Sequence, residues 1–71
     1  MKTPHIRNAQ LVSSEVLPKG DKTEVWLGSK GYYIYYRYPP PDLSLTLMAG
    51  PYKAEYYALR AASNLARSLI H

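Results

Sequence analysis

Apolar and polar residues alternate along three segments of the chain, and the period then changes. In residues 23–28 (TEVWLG), Val25 and Leu27 fall on one side and Glu24 and Trp26 on the other. That period of two is the mark of a strand. In residues 32–38 (YYIYYRY), Tyr32, Ile34, Tyr36 and Tyr38 share one face, and Tyr33, Tyr35 and Arg37 share the other. Residues 43–48 (LSLTLM) set Leu43, Leu45 and Leu47 against Ser44, Thr46 and Met48. Residues 11–17 (LVSSEVL) suit either a helical turn or a strand; their Ser and Val content tips the reading toward strand.

Turn residues punctuate these segments. Pro18, Gly20 and Asp21 mark one turn, and Gly28 and Gly31 bracket a hairpin loop. Pro39, Pro40 and Pro41 donate no ladder hydrogen bonds and stop the tyrosine strand. Ala49-Gly50-Pro51 is expected to end the third alternating segment, with Pro51 as the first helical residue. Residues 52–70 then contain no glycine or proline and are rich in Ala, Leu and Arg, all good helix formers.

Together these segments predict an α+β fold. It is a three- or four-stranded antiparallel meander with one C-terminal helix packed on one face, β-β-β-α. The expected helix-facing side of the sheet carries Val25, Leu27, Ile34, Leu43, Leu45 and Leu47. On the helix, Ala54, Ala58, Ala61, Leu65 and Leu69 form the expected core stripe. Leu59, Ala66 and Ile70 make a second apolar edge. Either the N-terminal segment covers it through Leu11, Val12 and Val16, or it meets another chain in a homodimer or a partner complex.

Length and composition narrow the picture. Seventy-one residues hold one domain, read as residues 11–71 behind a flexible arm at 1–10. The chain has no cysteine, so neither disulfides nor a thiolate metal site can staple it. At 46% hydrophobic and 20% charged it is globular in composition. Residues 1–10 lack the apolar stretch of a signal peptide, and no apolar run approaches the roughly 20 residues that span a bilayer. Cytoplasmic residence, with no membrane partner, is the default expectation. The net charge of +4 and isoelectric point near 9.5 attract phosphate or acidic proteins weakly, and also simply aid solubility.

The candidate chemistry is binding rather than catalysis. His5 and His71 sit near opposite ends, the five acids show no pairing by spacing, and no phosphate loop or nucleophile elbow occurs. No metal, cofactor or catalytic residue is expected. The sheet face away from the helix should present Trp26, Tyr33, Tyr35 and Arg37, with Lys30 in the adjoining loop. Tyr, Trp and Arg dominate protein interfaces, and the same groups stack bases and hold phosphates. Cross-strand aromatic packing accounts for some of these rings without any partner. A protein partner is the leading expectation, possession of an inhibitory role its natural extension, and nucleic acid the alternative. Lys53, Arg60 and Arg67, seven residues apart, drift only about 20° per step along the helix. With Asn64 and His71 they line a stripe suited to phosphates or an acidic partner, or to plain solvation.

Overall fold

The computed structural model describes residues 4–70. Four strands, β1 (Gln10–Val16), β2 (Lys22–Gly28), β3 (Gly31–Arg37) and β4 (Leu45–Tyr52), precede one helix, α1 (Glu55–Ile70). They form a single antiparallel sheet in the order β1-β2-β3-β4, with α1 laid over β2, β3 and β4. This is the expected meander and helix, and the ambiguous segment after Gln10 is strand through Val16.

The β2–β3 hairpin is the most regular part. Gly28 pairs with Gly31 across the Ser29-Lys30 loop, and the register runs without slip to Lys22 opposite Arg37. Gly31 adopts a φ of +141°, and a Cβ there would lie 2.5 Å from the Tyr52 carbonyl oxygen. Both the backbone angle and the approach of β4 therefore require glycine. The core centres on the cross-strand pair Val25 and Ile34, each 1% exposed, against Ala58 and Ala62 of α1. Burying side chains of this kind contributes about 1.5–3 kcal/mol each. Val12, Tyr32, Ala49, Tyr52, Leu59, Ala61 and Leu65 pack around them.

Three expectations fail here, each for a packing reason. First, Pro51 does not open the helix. β4 continues through Gly50 and Pro51 to Tyr52, and α1 begins at Glu55. β4 is an edge strand, where a missing N–H costs nothing, and the ladder slips between Tyr32–Tyr52 and Ile34–Ala49 to accommodate the pair. Second, Leu45 and Leu47 do not share the helix-facing side with Ile34. A further slip lies between Ile34–Ala49 and Tyr35–Leu47, so Leu47 pairs with Tyr35 and Leu45 with Arg37. One extra residue moves every following side chain to the other face. Leu43 precedes β4 and sits in the loop with φ of +59°.

Third, the helix presents a different line. Ala58, Ala62 and Ala66 are buried, whereas Ala61 and Leu65 are half-buried, Ala54 precedes the helix and Leu69 is exposed. Alanines mark the line of closest approach, and the bulkier Leu59 and Leu65 flank it. Ala66, expected on an oligomer edge with Leu59 and Ile70, is fully covered within the chain, and Leu59 packs against the core. Ile70 alone of the three is exposed.

The close helix–sheet contact makes a sharp prediction. Ala58→Leu forces extra methylenes into that seam and should lose about 1–3 kcal/mol in urea unfolding. Ile70→Glu, at the exposed end, should change stability by no more than about 0.5 kcal/mol.

Candidate functional site

The sheet face away from α1 is best described row by row, because cross-strand partners share a face. The first row is Leu11, Trp26 and Tyr33; the second is Ser14, Glu24, Tyr35 and Leu47; the third is Val16, Lys22, Arg37 and Leu45. The alternation thus places Trp26, Tyr33, Tyr35 and Arg37 together, as expected. Their exposure separates them. Trp26 and Tyr33 are half-buried and Lys30 is exposed at the hairpin tip. Tyr35 is 7% and Arg37 1% exposed, so neither stands on an open surface.

Arg37 is buried because it is an anchor. Its Nε donates to Glu24 Oε2 at 2.7 Å and its Nη2 to Oε1 at 3.2 Å. Its Nη1 donates to the Leu43 carbonyl at 2.8 Å. The same Glu24 Oε1 accepts the Trp26 indole N–H at 2.8 Å. A guanidinium fork matches a carboxylate in this way and satisfies both charges. The loop after β3 folds over this end of the face. Tyr38 N–H donates to the Ser44 carbonyl, Asp42 N–H to the Pro39 carbonyl, and Ser44 Oγ to the Asp42 carboxylate. The prolines accordingly make a compact turn, with Pro39 and Pro40 against Gly20.

At the other end, residues before β1 approach the face. Ile6 lies close to Gly28, whose Cβ position is 3.1 Å from Ile6 Cδ1 and 3.3 Å from Tyr33 Cε1. Pro4 is buried. Ile6, Arg7, Ser29, Lys30 and Tyr33 line a cleft of 350 Å³. Ile6 escaped the sequence reading, because the apparent arm carried no periodic signal. The Glu24–Arg37 pairing did carry one. A loop bracketed by Gly28 and Gly31 implies a register that sets the two diagonally across the hairpin on one face.

What remains accessible is an apolar and aromatic stripe with a basic end. Leu11 is 48% and Leu47 51% exposed, flanking the half-buried Trp26 and Tyr33; Arg7 and Lys30 stand at the cleft. Lys53, Arg60 and Arg67 are exposed on the helix side, so the sheet separates them from this stripe. Arg60 reaches the Tyr56 hydroxyl and Arg67 the Asn64 side chain. Lys2 and His71 lie outside the described residues. Among the described residues, no group of three His, Asp or Glu side chains could hold a metal ion.

On the helix side, Tyr36 donates its hydroxyl to Asp21 Oδ2 at 2.5 Å and packs edge-to-face on the exposed Tyr38, with centroids 5.0 Å apart. Asp21 is buried, and its Oδ1 has no partner among the described residues. The hydrogen bond to Asp21, reinforced by burial, pushes the Tyr36 phenol up to about 12. Burial and the neighbouring Tyr33 push Tyr35 up as well.

No known protein family matches the chain, and neither curated proteins nor solved structures show significant similarity to it.

Two outcomes follow. Arg37→Met strands Glu24 as a buried charge and should cost about 3–5 kcal/mol, most of a small domain's stability. Replacing both partners, Glu24→Leu with Arg37→Met, should recover the larger part; Trp26 fluorescence in urea reads both. For Tyr36, the folded state holds its proton more tightly than the unfolded chain. Its contribution is complete below about pH 10, the ordinary phenol value. It fades as the pH rises toward about 12. Tyr36→Phe should weaken the neutral protein by about 1–3 kcal/mol and flatten that alkaline decline in a pH series of melting curves.

Proposed function

We propose that this chain is a non-catalytic docking module whose outer sheet face binds an acidic, apolar surface of a larger protein. The observation that carries the reading is the stripe of Leu11, Trp26, Tyr33 and Leu47. It couples half-exposed aliphatic side chains with aromatic rings on the side that α1 leaves open. An apolar centre with a polar rim is the anatomy of a protein interface, and Trp and Tyr are its strongest anchors. Trp26 is suited to that role because Glu24 already holds its indole N–H, so the ring docks without losing orientation. Arg7 and Lys30 supply the basic rim and favour acidic groups in the partner. Occupying such a surface on a larger protein also inhibits whatever that surface does.

Nucleic-acid binding is the weaker reading of the same face. Its central guanidinium, Arg37, is neutralised by Glu24 and buried, which removes the phosphate contact that position would supply. The basic helix stripe lies on the other side of the sheet.

A peptide-display selection against the wild-type chain tests this directly. Enriched sequences should combine acidic with apolar residues and weaken at least about tenfold on Trp26→Ala or Leu47→Asp, a loss of ~1.4 kcal/mol. Titration with mixed single- and double-stranded DNA and RNA supplies the opposing result. Tight binding at low salt that collapses as salt rises would assign the face to nucleic acid. Enrichment indifferent to both substitutions would reject the docking face altogether.

A further inference from the structure

The two edges of the sheet are built differently. β4 carries Gly50 and Pro51 and two slips in its ladder. Proline, bulges and broken register are the devices that keep a foreign strand from adding to an edge. β1 (QLVSSEV) has no proline and no lysine. Its one slip, between Leu11 and Ser13, leaves Ser13 to Val16 in regular register with β2. β1 ends the sheet and pairs with β2 alone, so the outer row of its backbone groups faces away from the sheet. Leu11 and Val16, 48% and 65% exposed, mark the two ends of this strand on the outer face.

Charge decides what fits there. At the Gln10 end stand Arg7 and Lys30, which share the cleft beside Tyr33. At the Val16 end stand Lys19, in the turn, and Lys22, directly opposite Val16 in the ladder. The acids nearby are Glu15, exposed on the strand itself, Asp21, buried against Tyr36, and Glu24, opposite Ser14 and neutralised by Arg37. A second copy pairing antiparallel along β1 would set the Arg7–Lys30 end of one chain beside the Lys19–Lys22 end of the other. Like charges so placed oppose the pairing. An acidic strand meets cations at both ends.

We infer that β1 accepts an extended acidic segment of a partner protein as a fifth strand. This inference rests on the reading of the outer face as a protein-docking surface. Backbone hydrogen bonds to β1 hold the segment. Its alternate apolar side chains lie beside Leu11 and Val16 on the outer face, next to Trp26, and the carboxylates at its two ends, beyond the apolar residues, meet the flanking cations.

The test uses the full chain, ¹⁵N-labelled, and the peptide acetyl-Glu-Glu-Val-Thr-Val-Thr-Val-Glu-Glu-amide, whose valines share one face and whose acids stand at its ends. Its control is the same peptide with every backbone amide N-methylated, which keeps the side chains but cannot pair. The expected result is shifts and slowed hydrogen exchange at β1 amides, with binding weakened at least about tenfold by methylation. Equal binding of both peptides, with changes confined to Trp26, Tyr33 and Leu47, would overturn strand addition and leave the docking face intact. Failure of the unmethylated peptide to bind at millimolar concentration would also overturn it, while the display selection judges the face independently. Lys19→Glu with Lys22→Glu, both remote from Trp26, should weaken the unmethylated peptide more than fivefold; no change would remove the charge argument.

Discussion

The buried pair of Glu24 and Arg37 is the constraint on which the outer half of this structure depends. A carboxylate and a guanidinium buried on a sheet face are tolerable only when each satisfies the other. Meeting that condition ties β2 to β3 side chain to side chain, and it draws the carbonyl of Leu43 onto the arginine. The loop that carries Leu43 is thereby folded over the face. The same carboxylate holds the Trp26 indole. One ion pair thus orders the hairpin, the proline loop and the principal aromatic of the candidate site.

The inner half answers a different demand. A chain of this size has little apolar material, so the helix must come close to the sheet for what it has to count. Ala58, Ala62 and Ala66 permit that approach, and Val25 and Ile34 meet them. Tyrosines supply bulk at the margins, where the half-buried Tyr32 and Tyr52 pack against the core. Tyr36 is also half-buried, and its hydroxyl donates to the Asp21 carboxylate.

These two demands together leave the proposed docking surface. The helix claims one face, and the ion pair with its covering loop claims one end of the other. What stays open is the row from Leu11 through Trp26 to Tyr33, continued at Leu47, with the β1 edge beside it. Binding of an extended segment there needs no rearrangement of the core. The edge and the face are adjacent, so backbone and side-chain contacts to one partner reinforce each other.

Much of this was legible in the residues. Period-two alternation located β2 and β3, the glycines at 28 and 31 defined their hairpin, and a long stretch free of glycine and proline located α1. Those are local preferences, expressed wherever the chain lies. The grouping of Trp26, Tyr33, Tyr35 and Arg37 on one face followed from the same alternation. The rest belonged to the tertiary structure. The slip between Ile34–Ala49 and Tyr35–Leu47 sent Leu45 and Leu47 to the outer face, and a bulge is an agreement between two strands that neither segment announces. Pro51 was free to remain in a strand only because that strand became an edge. Burial of Arg37 depended on Glu24 lying diagonally across a hairpin and on a loop closing above both. Sequence determined which groups share a face along β2 and β3; only the packed molecule decided the faces of β4 and which groups water, or a partner, can reach.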